Sequence, residues 1–119
     1  NFGSRGHEYT AHIREAVKLL EQRNVDFEFD GEMAADTALD AEALAYYPFS
    51  RLTGPANVLI MPSLHAANIA YKLVEAMGGA HVIGPILMGM EKPVQILRLG
   101  ATVNDMLNMA ALAAIDVAD

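Results

Sequence analysis

The stretch from residue 57 to residue 100 constrains the fold more than any other part of the sequence. It opens with a short apolar run at 57–61 that Pro62 ends, a pattern typical of a strand buried on both faces. Ser63 can cap a helix that follows, and the pair Gly78-Gly79 can end it. One face of this predicted helix carries apolar residues at three- and four-residue steps: Leu64, Ala67, Tyr71, Val74 and Met77.

Three more short strands are predicted after this helix, at residues 80–83, 86–88 and 94–97, separated by glycine and proline. A strand, a helix and a second strand of these lengths form a βαβ unit, which should close with a right-handed connection. The stretch therefore predicts the centre of an α/β domain.

The segments on either side of this unit continue the alternation of helices and strands. Helices are predicted over about 7–23, 33–45 and about 102–118, and a period-two pattern at 25–29 indicates a half-exposed strand. This order is typical of an α/β domain with a mostly parallel sheet, in which ligands bind beyond the carboxyl ends of the strands. Four segments follow those predicted ends: 30–32, 62–63, 84–85 and 98–102.

The composition suits one domain that has more apolar surface than it can bury by itself. The chain has 119 residues, of which 53% are hydrophobic and only 19% are charged. A small domain cannot bury so much apolar surface alone, so we expect a further partner surface. Because the sequence starts at Asn1 rather than Met, we also expect it to belong to a longer polypeptide.

The charge and the cysteine count exclude several classes of protein. The net charge is −7, and no basic stripe with interleaved aromatic residues is present, so nucleic-acid binding is disfavoured. Without cysteine, the chain has neither a disulfide framework nor thiolate chemistry, which is compatible with the cytoplasm. No run approaches the length of a transmembrane helix, so no membrane association is predicted.

Two groups of polar residues are candidates for acid–base chemistry or metal binding. Asp30, Glu32 and Asp36 form an acidic cluster, although a turn followed by acids near a helix N-terminus explains it more simply. The sequence contains four histidines: His7, His12, His65 and His81. None shows the spacing of a zinc site, so no metal site is predicted.

The start of the last predicted helix is a candidate anion site. Thr102 and Asp105 fit the capping-box pattern, and a helix N-terminus attracts anions such as phosphate. Arg98, just before it, would add a positive charge. The glycine-containing segments 78–79 and 84–89 match neither the dinucleotide fingerprint nor the P-loop, so turn chemistry explains them.

Several motifs in order resemble the phosphotransacetylase (phosphate acetyl/butyryltransferase) family. They are Asn1-Phe2-Gly3-Ser4, Asp30-Gly31-Glu32-Met33 with Asp36, Gly54-Pro55-Ala56-Asn57-Val58-Leu59-Ile60, Pro62, Asn68-Ile69-Ala70-Tyr71-Lys72, Ile83-Gly84-Pro85-Ile86-Leu87-Met88-Gly89 and Lys92-Pro93-Val94. The resemblance implies a three-layer α/β/α architecture with a mostly parallel sheet, like that of isocitrate and isopropylmalate dehydrogenases. Residues 1–119 would form only the later, C-terminal portion of such a domain.

The sequence departs from this family at the residues that carry catalysis. Active members have a Ser-Arg-Gly-Cys-Ser stretch after the Lys-Pro-Val motif, and its Ser and Arg serve acetyl transfer. Here Arg98 takes the place of that Ser and Leu99 the place of that Arg, while Asp105 falls where the family has an assisting Asp. A leucine cannot clamp a phosphate as a guanidinium does, so the resemblance implies weak or absent acetyl transfer and no catalytic residues here.

The segments 62–69 and 95–103 are similar to the phosphotransacetylase-like domain of bacterial NADP-dependent malic enzymes. In that family the N-terminal part oxidatively decarboxylates malate to pyruvate and CO2, using NADP and a divalent metal, Mg or Mn. The resemblance implies that residues 1–119 form a regulatory and oligomerising domain that binds acetyl-CoA as an allosteric effector.

The effector contacts expected from this resemblance are Arg98, Asp105 and Leu112, with Arg98 on a phosphate of CoA. No cofactor and no metal are expected in this domain itself, and the expected assembly is a homo-oligomer. Two alternatives stay open: an active phosphate acetyltransferase, and a purely structural dimerisation module.

Overall fold

The computed structural model describes residues 8–115. The chain divides between Asn68 and Ile69 into two compact units. Five helices lie within the described residues: α1 (Glu8–Arg23), α2 (Ala35–Leu39), α3 (Ala41–Ala45), α4 (Leu64–Gly78) and α5 (Val103–Ile115).

Helix α1 confirms the predicted first helix, whose residue 7 lies outside the described residues. Its Ile13, Val17 and Leu20 are half-buried, at the spacing of one helical face. The helix ends at Asn24, which has a φ of 48°. Asparagine is one of the few residues that adopt this left-handed conformation readily, so it stops the helix where predicted.

The single helix predicted over 33–45 is wrong, because the segment forms two short helices, α2 and α3. Asp40 separates them: it is extended, and its side chain accepts a hydrogen bond of 2.9 Å from the backbone N–H of Glu42. Aspartate favours the N-cap over a helix interior, so it begins a new helix rather than continuing the first. Ala38, Leu44 and Thr37, from these two helices, are the buried residues of the first unit among those described.

Helix α4 has the predicted limits. The Ser63 hydroxyl accepts a hydrogen bond of 3.2 Å from the backbone N–H of Ala66, and Gly79 has a φ of 62° after the helix. However, the predicted apolar face is not buried, since Leu64, Val74 and Met77 are 75%, 57% and 83% exposed. The helix thus forms through its caps and backbone hydrogen bonds and keeps apolar surface free.

The predicted strands are not paired. Within residues 8–115 the backbone forms no strand ladder, so the sheet expected from 25–29, 57–61, 80–83, 86–88 and 94–97 stays a prediction. The expected burial of 57–61 on both faces is wrong for this structure, because Val58 and Ile60 are 68% and 85% exposed. A central strand is buried by its neighbours, and no described segment takes that place here.

Helix α5 confirms the last predicted helix, although its predicted end near residue 118 lies outside the described residues. Met109 of α5 is 5% exposed and is the buried apolar residue of the second unit among those described. None of the helices in this part of the chain is both long and apolar enough to cross a membrane.

Candidate functional site

A tight turn carries Arg98 into the second unit's cleft. The backbone N–H of Ala101 donates a hydrogen bond of 3.1 Å to the Arg98 carbonyl, and Gly100 has a φ of 83°. A β-turn with positive φ at its third position favours glycine, so Gly100 permits the tight return of the chain. The same turn leaves Leu99 fully exposed to solvent, at 107% of its reference surface.

The predicted capping box begins α5. The Asp105 carboxylate accepts hydrogen bonds from the Thr102 backbone N–H at 2.7 Å and from the Thr102 hydroxyl at 2.8 Å. The Thr102 hydroxyl in turn accepts from the Asp105 backbone N–H at 3.2 Å. The bonds from the Thr102 backbone and hydroxyl lower the pKa of Asp105, because they favour its charged form.

Replacing Thr102 by Val should therefore destabilise the protein by about 1 kcal/mol, because the isosteric side chain cannot cap the helix. Urea denaturation of the full-length protein measures this free energy of unfolding. The matched control is Thr102→Ser, which keeps the hydroxyl and should stay close to wild type. Equal losses for Val and Ser would show that the hydroxyl does not stabilise α5.

His81 joins this helix start from another segment. Its Nε2 lies 3.3 Å from the second oxygen of the Asp105 carboxylate, so both oxygens of Asp105 have partners. When protonated, the imidazole is a cation beside this carboxylate. This pair was not predictable from the sequence, because the two residues lie in different elements and neither shows a motif that predicts the contact.

Arg98 forms a two-point ion pair with Glu75 of α4. Arg98 Nη2 lies 2.9 Å from Glu75 Oε1, and Nη1 lies 3.2 Å from Oε2. Hydrogen bonding to the guanidinium holds the pKa of Glu75 below its usual value, and the same carboxylate raises the pKa of Arg98 further. Glu75 was also absent from the sequence predictions, since its partner lies outside its own helix.

These segments surround a cleft of about 130 Å³, lined by residues 82–84 and 96–101 and by Asp105, Asn108 and Met109 of α5. Two of the three predicted effector contacts, Arg98 and Asp105, thus lie together at the cleft. Among the described residues that line it, Arg98 is the one basic side chain. The third predicted contact, Leu112, is half-buried on α5 and does not line the cleft.

The acidic cluster of the first unit is engaged in local structure. Asp30 accepts hydrogen bonds from the Ser50 hydroxyl at 3.1 Å and the Arg51 backbone N–H at 2.9 Å. Glu32 forms an ion pair with Arg14, and Asp36 accepts a hydrogen bond of 2.8 Å from the Thr37 backbone. Asp30 and Asp36 therefore hold a turn and a helix start, as in the simpler of the two interpretations. Glu32 instead pairs with α1 through one oxygen, and its other oxygen, Oε2, is buried without a hydrogen-bond partner.

A divalent metal does not fit the described part of the chain. Residues 8–115 offer no group of three His, Asp or Glu side chains that could hold one. His12 and His65 belong to no such group, and His7 lies outside the described residues.

The lowered pKa values of Glu75 and Asp105 predict acid sensitivity. Each carboxyl group has a lower pKa in the folded protein than in the unfolded chain. It therefore stabilises the folded state at pH values above its unfolded pKa, and this contribution is lost as the pH falls through its folded pKa. We expect the unfolding free energy of wild type to decline between about pH 6 and about pH 3 more steeply than that of Glu75→Gln/Asp105→Asn. If the unfolding free energy of wild type and of the double variant fell equally steeply with pH in denaturation experiments, Glu75 and Asp105 would not be the source of the acid sensitivity.

The chain belongs to the phosphate acetyl/butaryl transferase family, whose model matches residues 1–114. Among its relatives, an NADP-dependent malic enzyme of Rhizobium meliloti (strain 1021) is 52% identical over 113 residues, which are 95% of this chain but 15% of that protein. A phosphate acetyltransferase of Treponema pallidum (strain Nichols) is 42% identical over 101 residues, 84% of this chain and 30% of that protein. The resemblance to the transacetylase-like part of malic enzymes is thereby confirmed.

A solved structure shows the same fold. EutD phosphotransacetylase from Staphylococcus aureus matches 93% of this chain with a TM-score of 0.82 and 35% sequence identity, over 36% of its own length. The chain therefore has the fold of part of a phosphotransacetylase, and it spans well under half the length of these relatives.

Proposed function

We propose that residues 1–119 form a regulatory, non-catalytic domain that binds acetyl-CoA and thereby inhibits malate oxidation elsewhere in the same protein. The observation that carries this proposal is the turn at the cleft, where Leu99 exposes a hydrocarbon side chain and Arg98 offers a cation. The turn keeps a group that can bind phosphate but places leucine where the family resemblance puts a catalytic arginine.

Arg98 is the proposed contact to a phosphate of CoA. A guanidinium presents parallel N–H donors that match two phosphate oxygens, and the N-terminus of α5 beside it also favours an anion. Asp105 positions this helix start through the capping box, with one oxygen on Thr102 and the other beside His81. Leu112, farther along α5 and outside the cleft lining, is the proposed apolar contact to a part of acetyl-CoA that extends beyond the cleft.

The proposed activity of the whole protein is the NADP-dependent oxidative decarboxylation of malate. It is supported by the malic-enzyme relatives, of which the NADP-dependent malic enzyme of Rhizobium meliloti is 52% identical to this chain over the region they share. NADP and a divalent metal, Mg or Mn, would bind outside residues 8–115, which lack a fitting metal group. Acetyl-CoA and malate sites in one protein would then be coupled, and the coupling free energy is reciprocal.

We further propose a three-layer α/β/α architecture with a mostly parallel sheet, assembled as a homo-oligomer. The apolar side chains exposed on α4 support a partner surface, since Ile69, Leu73 and Met77 recur at four-residue steps and are 61%, 52% and 83% exposed. Sedimentation of the full-length protein tests the assembly. A monomer at micromolar concentration would contradict it.

Steady-state kinetics of the full-length protein test the regulatory proposal. Acetyl-CoA should lower the rate of malate-dependent NADP reduction, and Arg98→Ala should require much more effector for half-inhibition. Each variant is compared with its own rate in the absence of effector. Rates that do not respond to millimolar acetyl-CoA would contradict the proposal.

An active phosphate acetyltransferase is the second candidate. The 42% identity to the Treponema pallidum phosphate acetyltransferase favours it. Leu99 opposes it, because an exposed leucine supplies no hydrogen bond to a transferring acetyl group or to phosphate.

A further inference from the structure

The ion pair between Arg98 and Glu75 occupies one edge of the guanidinium, the edge formed by its two terminal nitrogens. Nη2 donates to Oε1 at 2.9 Å and Nη1 donates to Oε2 at 3.2 Å, so the two side chains form a fork-to-fork pair. The Arg98 and Glu75 side chains are 39% and 34% exposed, so solvent and solutes reach both. Both residues lie in the second unit of the chain, as the cleft does.

Carboxylate and phosphate oxygens accept the same parallel N–H donors of a guanidinium, so the two groups exclude each other from one face of Arg98. We infer that Glu75 is a specificity-determining residue that competes with the ligand's phosphate for Arg98. This inference rests on the proposed function, because it concerns the same cleft. Glu75 lies outside the cleft lining, so it acts through Arg98 rather than by touching the ligand in the cleft.

Such a competitor selects among anions. A small monoanion gains too little from Arg98 alone to displace a carboxylate that is held at two points. A CoA ester carries several phosphate charges and a large body that makes further contacts, so it can replace Glu75. The exposed ion pair is weak, so the competition lowers affinity only a few-fold.

The released Glu75 carboxylate has a second partner nearby. Lys72 lies three residues earlier on α4, where helical side chains are neighbours, and its charge already helps to lower the pKa of Glu75. Lys72 can therefore balance the carboxylate after Arg98 turns to the ligand. The exchange involves the side chains of Glu75 and Lys72 on α4 and of Arg98 on the turn.

Calorimetric titration of acetyl-CoA into the full-length protein tests this exchange. Glu75→Gln should bind about two- to fivefold more tightly than wild type, because it removes the competing charge and keeps the shape of the side chain. Glu91→Gln is the matched control, since Glu91 is an exposed acid of the same unit and its replacement changes the net charge equally. It should leave the affinity unchanged.

A double-mutant cycle shows whether Glu75 acts through Arg98. In an Arg98→Ala background, Glu75→Gln should have no further effect on the dissociation constant. Glu75→Ala, with a thermal melt of each variant, provides a second test in case the Gln variant folds poorly.

The outcomes separate this inference from the proposed function. If wild type binds acetyl-CoA and neither Glu75→Gln nor Glu75→Ala binds it more tightly, the competition by Glu75 is contradicted but the effector site is not. The competition is also contradicted if Glu75→Gln raises the affinity for acetyl-CoA in the Arg98→Ala background, or if Glu91→Gln raises it equally. If neither wild type nor either Glu75 variant binds acetyl-CoA, both the competition by Glu75 and the proposed effector site are contradicted.

Discussion

The full-length protein, supplied with acetyl phosphate and CoA, should form acetyl-CoA at less than about a thousandth of the rate of an active phosphotransacetylase. The turn at the cleft offers Leu99, a fully exposed hydrocarbon, at the position where the resemblance implies the catalytic arginine. Loss of one positioned donor to a transition state typically costs a hundred- to thousandfold in rate, roughly, and here the serine position is changed as well. A rate within about tenfold of the active enzyme would make the domain catalytic.

A rescue experiment sharpens this prediction. The double variant Arg98→Ser/Leu99→Arg restores the Ser-Arg pair that the resemblance implies for active members, so it should raise the transfer rate by about tenfold or more. Leu107→Arg is the matched control, because it also adds an arginine in place of an exposed leucine of the same unit but outside the cleft lining. Equal gains in both would show that an arginine introduced elsewhere on this unit, rather than the order of side chains at the turn, explains the rate.

Arg98→Ala should weaken acetyl-CoA binding about ten- to hundredfold, because hydrogen bonds between charged groups are among the stronger ones. The thermal stability should change little, since both members of the Arg98–Glu75 pair are about one-third exposed or more and surface ion pairs contribute little. Isothermal titration gives the affinity, and a thermal melt of the same samples gives the stability.

Arg51→Ala is the control for this substitution. Arg51 is also an exposed arginine in an ion pair, with Glu21, but it belongs to the first unit. Its replacement should leave the affinity for acetyl-CoA as it is in wild type. If both variants lost the same affinity, the loss would reflect overall charge rather than a contact in the cleft.

The helix limits within residues 8–115 could mostly be predicted from the sequence, because the residues that cap or end these helices lie next to them. Ser63 and Thr102 lie next to the helices they cap, and Asn24 and Gly79 adopt the left-handed conformations that end helices. The exception was Asp40, where a regular alanine pattern suggested one helix and the carboxylate began another. There the capping preference of a single residue prevailed over helix propensity.

The strands could not be settled in the same way, because a strand depends on partners that sequence pattern does not supply. The apolar run at 57–61 has the composition of a central strand, yet Val58 and Ile60 are exposed and no described segment pairs with it. Hydrophobicity indicates that a segment is to be buried, but it does not identify the segments that pack against it.

The candidate site was half predictable. Arg98 and Asp105 were singled out because they flank a helix start, and the structure brings both to one cleft. Glu75 and His81, which hold them, were missed because their contacts join different elements of the second unit. Pairs of this kind depend on how the chain folds back on itself, which no spacing rule in the sequence encodes.

The central claim is that this cleft binds acetyl-CoA, and the measurement that tests it most directly is a calorimetric titration of acetyl-CoA into the full-length protein. We expect saturable binding with one site per chain. Absence of heat, together with absence of any thermal shift at millimolar acetyl-CoA, would contradict the claim and leave a domain whose role is to hold subunits together.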